Sequence, residues 1–102
     1  MGEEFVKLAR TSEIPPGTGK VVDAAGTPVA LFNIDGKIHA IHNTCVHRQG
    51  PLGEGELAGT VVSCPWHGWE YDVTNGQCTN RPGAKVACYE VRVDGEDILV
   101  KV

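Results

Sequence analysis

Cys45-Val46-His47-Arg48-Gln49-Gly50-Pro51-Leu52 and, further along, Cys64-Pro65-Trp66-His67-Gly68-Trp69-Glu70-Tyr71-Asp72 are the two halves of the stretch on which the reading of this chain turns. Each half pairs one thiolate with one imidazole, two positions apart in the first and three apart in the second. Soft and borderline ligands alternating in this way, one of each kind per segment, point to two loops that share a metal centre. The rest of the chain reads as the scaffold that brings those loops together.

Working outward, the first loop hangs from a hairpin. Val29-Ala30-Leu31-Phe32-Asn33-Ile34 and Lys37-Ile38-His39-Ala40-Ile41-His42 flank Asp35-Gly36, the dipeptide that best suits a tight two-residue hairpin turn. The second of these strands runs directly into Asn43-Thr44-Cys45. Gly50, Gly53 and Gly55 predict turns, Thr60–Ser63 a strand delivering Cys64, and Trp69–Val73 another strand turned back by Asn75-Gly76. After an irregular connection over 79–84, Lys85–Val93 alternates with Tyr89, Val91 and Val93 on one face, and Asp94-Gly95 turns it into Ile98–Val102. Towards the N-terminus, Phe5–Ala9 and Lys20–Asp23 read as short strands separated by Pro15-Pro16-Gly17. No segment shows a helical period or a repeat. The expectation is an all-β protein of about eight to ten short strands, an antiparallel sandwich or partly open barrel. It is read as one domain over 1–102, with a ligand-bearing subdomain at about 43–72 inserted in a β base formed by 1–42 and 73–102.

Composition narrows the partners. A formal net charge of −4 and a pI near 5.4 lack the basic footprint of nucleic-acid binding. No apolar run approaches the ~20 residues of a membrane span, and Glu3-Glu4 stand where a signal peptide carries basic residues, so a cytoplasmic location is expected. In that setting the four cysteines favour metal binding over disulfides. Cys78 and Cys88, with no neighbouring histidine, read as small buried hydrophobes. His39 and His42, on opposite faces of their strand, read as scaffold residues.

Two metal chemistries suit Cys45, His47, Cys64 and His67. Tetrahedral zinc accepts all four, although zinc knuckles commonly use C-x₂₋₄-C and H-x₃₋₅-H spacing rather than mixed pairs. A two-iron, two-sulfide cluster with two cysteines on one iron and two histidines on the other asks for mixed loops.

The whole pattern is C-x-H, sixteen intervening residues, then C-P-W-H-G-W-x-Y-D. It resembles the Rieske iron–sulfur signature, and the chain as a whole resembles the small soluble Rieske-type ferredoxins. The resemblance implies one [2Fe-2S] cluster, with Cys45 and Cys64 on the inner iron and His47 and His67 on the outer one. Departures from the high-potential respiratory branch carry information as well. Gly50 and Trp66 stand where that branch has a pair of disulfide cysteines, and Trp69 replaces a serine that donates to a bridging sulfide. Tyr71 matches the family tyrosine that donates toward a cysteine sulfur. Fewer donors to the cluster imply a lower potential, because each donor stabilises the more negative reduced state. Arg48, Gln49 and Trp66, together with Trp69 and Tyr71, are the candidate residues around the cluster and for docking.

The function expected from the resemblance is one-electron transfer without catalysis. The donor would be an NAD(P)H-linked flavoprotein reductase, and the acceptor a terminal oxygenase, above all a ring-hydroxylating dioxygenase, or another reductase. Two alternatives stand beside it: the small Rieske-like subunit of an assimilatory nitrite reductase, and a zinc-stabilised interaction module. A complete oxygenase is disfavoured, since it needs a second domain with a 2-His-1-carboxylate iron site.

Overall fold

The computed structural model describes residues 5–24, 26–44, 51–66, 68–81 and 83–101. Among these, nine strands form two antiparallel sheets. The larger sheet comprises β1 (Phe5–Arg10), β2 (Gly19–Ala24), β3 (Thr27–Ile34), β4 (Lys37–His42), β8 (Cys88–Asp94) and β9 (Asp97–Lys101), in the order β1-β9-β8-β4-β3-β2. Its outer strands β1 and β2 approach each other, so the sheet curls into a nearly closed barrel. The smaller sheet, in the order β5-β6-β7, comprises β5 (Glu56–Ala58), β6 (Val61–Ser63) and β7 (Glu70–Asp72).

Strand β3 is the wall common to both layers, and its composition explains why. Val29-Ala30-Leu31-Phe32 is apolar at every position, which is the pattern of a strand covered on both faces. Side-chain alternation sends Val29 and Leu31 into one cluster with Ala9, Ile14, Ile38, Ala40, Ile98 and Val100. The intervening Ala30 and Phe32 face a second cluster containing Ile41, Leu52, Val62, Cys64, Tyr71 and Val73. The first cluster fills the barrel. The second joins the barrel wall to the small sheet, so the ligand-bearing segment is fixed by apolar burial.

The hairpin turn between β3 and β4 is the one the sequence predicts: Ile34 pairs with Lys37, and both Asp35 (φ 53°) and Gly36 (φ 91°) take the left-handed conformations of a type I′ turn. The β8–β9 turn differs by one residue. Asp94 pairs with Asp97, so Gly95 and Glu96 are its central pair, with Gly95 at φ 64° in the first position as in type II′. Short 3₁₀ turns at Thr11–Glu13 and Leu52–Glu54 add the helical structure that periodicity did not reveal. Strand β5 also escapes the sequence reading: Glu56-Leu57-Ala58 has no β-branched residue and is a strand because it pairs with Val61–Ser63. Residues 85–87 precede β8 with an isolated bridge from Lys85 to Gln77.

One further correction concerns Cys88, expected to be buried: it is exposed, with its thiol against the carbonyl of Thr74 at 3.6 Å. It pairs with Ile41 as the first residue of β8, inside the short stretch where β8 runs beside β4. Partial desolvation and the neighbouring Asp72 carboxylate push its thiol pKa up. Cys78 is buried as expected.

Gly55 shows how tightly the return from the first ligand loop is held. A Cβ there would collide with the backbone oxygen of Ser63 and approach the Val62 side chain at 3.1 Å. The obstacle is backbone, which cannot swing aside. Gly55→Ala is expected to destabilise the protein by ~1–3 kcal/mol, read as a lower denaturant midpoint with an unchanged slope. An unaltered midpoint would contradict this packing.

Candidate metal centre

The first ligand loop is closed at its root by the backbone and by two side chains. An isolated bridge joins Thr44 to Pro51 across the intervening six residues, 45–50. Behind it, the Leu52 N–H donates to the carbonyl of Asn43 at 2.7 Å, and the Asn43 N–H reaches the Pro28 carbonyl at 3.0 Å. The buried Asn43 carboxamide oxygen accepts the Gly53 N–H at 2.7 Å. His42 caps the same corner by accepting the Thr44 N–H on Nδ1 at 3.1 Å, which fixes it as a scaffold residue with its proton placed away from that nitrogen. Each such bond contributes a net ~0.5–1.5 kcal/mol, so the root is held by the chain's own backbone and side chains.

The second loop is a closed turn at the end of β6. The Cys64 N–H donates to the Trp69 carbonyl at 2.7 Å, and the Gly68 N–H donates back to the Cys64 carbonyl at 3.1 Å. Gly68 completes the turn at φ 77°, a conformation that glycine adopts without the cost a side chain would impose. Cys64 itself is 3% exposed and belongs to the same apolar cluster as Leu52, so the roots of both loops converge on one patch of core. Tyr71 is fully buried in that cluster, and Trp69 packs against its edge. Trp66 behaves differently from the core aromatic that a tryptophan usually is: it stands 62% exposed at the tip of the loop.

Of the expected ligands, Cys64 lies within the described residues; Cys45, His47 and His67 lie outside them, as do Arg48, Gln49 and Gly50. His39 sits away from this convergence, paired with Phe32 on the scaffold. Desolvation, aided by Lys37 and opposed by Asp72, holds its pKa below the ordinary histidine value. The donor chemistry fits a [2Fe-2S] group. The nearly dry Cys64, at the mouth of a glycine-containing turn, carries a sulfur ligand, and the open space around the Gly68 Cα leaves room beside the main chain.

Three residues around this site were not singled out from sequence. Asn43 closes the first loop, as above. Asn80 and Arg81, within the irregular connection, reach the second: Arg81 lies over the Trp69 ring, 5.2 Å from its centroid, and Asn80 bonds to the backbone on either side of Trp69. Their partners lie ten or more positions away, where no local pattern could announce them.

The comparisons agree with this geometry. The family model for the Rieske [2Fe-2S] domain matches residues 4–90, and the chain belongs to that family. It therefore carries one [2Fe-2S] cluster. Among curated relatives, it is 35% identical over 98 residues to the biphenyl dioxygenase ferredoxin subunit of Pseudomonas sp. (strain KKS102), an alignment covering 94% of this chain and 90% of that one. Among solved structures, the ferredoxin of carbazole 1,9a-dioxygenase from Nocardioides aromaticivorans IC177 is similar at 31% identity with a TM-score of 0.89, covering 95% of this chain and 96% of that one. A complex of reduced oxygenase and oxidised ferredoxin in carbazole 1,9a-dioxygenase contains a chain that is 30% identical with a TM-score of 0.87, covering 95% of this chain and 92% of that one.

Proposed function

We propose that this chain is a one-electron carrier that holds its cluster through Cys45 and Cys64 on one iron and His47 and His67 on the other, and that it delivers electrons to a terminal oxygenase. The observation that carries this reading is the near full-length similarity to ferredoxin components of aromatic-ring dioxygenase systems, one of which is seen with its oxygenase. The cluster, when bound, supplies a reversible one-electron couple. The chain's own residues bury Cys64, exclude water from its side of the site with Leu52, Val62 and Tyr71, and leave Trp66 projecting at the tip of the ligand loop. Trp66, with Arg48 and Gln49, is the surface we assign to docking.

The donor in this reading is an NAD(P)H-linked flavoprotein reductase and the acceptor a ring-hydroxylating dioxygenase. Segment 43–72 acts as a cluster-binding subdomain of one domain; its support is the separate β5-β6-β7 sheet that carries Cys64. No helix among the described residues is long and apolar enough to cross a membrane, and a cytoplasmic location belongs to the same reading. The test is reconstitution: purified protein, a flavoprotein reductase with NADH, and a ring-hydroxylating oxygenase with its aromatic substrate. Product formation that requires all three supports the reading. Cluster reduction without product, together with co-purification in a larger oxidoreductase, would favour a fixed subunit.

The midpoint potential is expected in the lower half of the roughly −150 to +300 mV Rieske range. Trp69 is set against the core edge and covered by Arg81; by resemblance to the family signature it stands in place of the serine donor of the high-potential branch. Trp69→Ser is expected to raise the potential while lowering thermal stability through lost packing. Direct voltammetry decides: a wild-type midpoint above about +150 mV, in the upper part of that range, would contradict the expectation.

A further inference from the structure

The segment after β7 runs back along it. Asp72 N–H donates to the Gln77 carbonyl at 2.8 Å, Tyr71 bridges Cys78, and the Thr79 N–H donates to the Glu70 carbonyl at 2.7 Å. Backbone pairing stops there, one residue short of the ligand turn. The Asn80 side chain takes over. Its Oδ1 accepts the Glu70 N–H at 3.0 Å, and its Nδ2 donates to the Gly68 carbonyl at 3.2 Å. One planar carboxamide thus bonds to the main chain on both sides of Trp69, from the edge opposite the rungs that Cys64 makes to Gly68 and Trp69.

The same carboxamide is itself held. Its Oδ1 also accepts the Cys78 thiol at 3.4 Å, and the Asn80 carbonyl accepts an N–H of Arg81 at 2.7 Å, the residue whose guanidinium covers Trp69. Acceptor and donor are both required, and the carboxamide supplies them on one planar group.

We infer that Asn80 is a positioning residue of the metal centre, clamping the second ligand loop from outside so that the loop is ordered for the cluster. This inference rests on the assignment of Cys64 and His67 as ligands. A clamp of this kind governs local opening of the loop rather than global stability. Its loss removes two hydrogen bonds, each worth about fivefold, and should speed opening by about five- to thirtyfold.

The experiment uses the cluster-loaded protein and the variants Asn80→Ala, Asn80→Asp and Asn75→Ala. Asn75 serves as the control, because its side chain likewise accepts a backbone N–H, that of Gln77 at 2.9 Å, at the far end of the same hairpin. Three readouts are taken: bleaching of the visible absorption by an iron chelator, hydrogen exchange of the 64–70 segment, and the spin-resonance spectrum of the reduced protein. Asn80→Ala is expected to load iron and sulfide normally, bleach about five- to thirtyfold faster, exchange faster at 64–70 and give a broadened spectrum. Asn80→Asp keeps the acceptor for Glu70 but sets an oxygen against the Gly68 carbonyl; it should bleach as fast as Asn80→Ala while retaining more exchange protection. It also carries the test should Asn80→Ala not accumulate. Asn75→Ala should match the wild type in all three. Wild-type bleaching and spectrum in both Asn80 variants, or equal acceleration in Asn75→Ala, would overturn the clamp. A wild-type spectrum without histidine nitrogen coupling would instead overturn the ligand assignment, and the clamp with it.

Discussion

Cys64→Ser is expected to give a colourless protein whose β barrel remains folded. Cys64 is nearly dry, at 3% exposure, so the substitution removes a sulfur ligand and leaves a hydroxyl among apolar neighbours such as Leu52, Val62 and Tyr71. Setting a buried hydroxyl in place of the thiol costs ~1–3 kcal/mol on mutational scales, which falls on the cluster that joins the small sheet to the barrel. The barrel interior, with Ile14, Val29, Leu31, Ile38, Ile98 and Val100, is a separate body of buried side chains. Metal binding and loop ordering are coupled, so the loops should loosen while the six-stranded sheet persists. Iron content and visible absorption should vanish with most of the far-ultraviolet β signal retained. Unchanged visible absorption would refute the role of Cys64.

Phe32→Ala should produce the largest loss of stability, about 3–5 kcal/mol. The ring is fully buried in the wall that both layers share. It also lies across the neighbouring strand: a Cβ on Gly19 would come within 2.6 Å of its Cε1 atom, so the missing side chain at Gly19 is what lets the ring fit. Truncation therefore empties the space beneath the small sheet and uncovers the β2 backbone together. Chemical denaturation should show the loss, with faster chelator bleaching as the loops lose their floor. A cost below about 1.5 kcal/mol would mean that this wall can collapse into the cavity, contrary to its position between two layers.

How much of this was legible in the sequence depended on the kind of information each feature carries. The Asp35-Gly36 hairpin was readable because both positions need left-handed backbone and the sequence provides residues that tolerate it. The β8–β9 turn was displaced by one residue because Asp-Gly and Gly-Glu are both acceptable turn pairs, and strand pairing chose between them. Strand β5 exists through its partner alone, and Cys88 is exposed even though it pairs with Ile41 of β4, facts of tertiary structure that no window of residues contains. The family was legible because ligand chemistry is written in residue types at fixed spacing, independent of register. The supports of the loops were not, because Asn43 and Asn80 act through carboxamides on backbone groups ten to twelve residues away. Asparagine in a loop is too common a residue to announce such a role.

The measurement that tests the central claim most directly is pulsed spin-resonance spectroscopy of the dithionite-reduced protein, grown with isotopically labelled histidine and assayed in parallel for metal and acid-labile sulfide. A carrier of the kind proposed contains a [2Fe-2S] cluster whose unpaired spin couples to the nitrogens of two histidines, and both couplings should disappear, with the cluster, when His47 and His67 are replaced. A protein that holds about one zinc and no sulfide, or a cluster whose spin touches no histidine nitrogen, would contradict it.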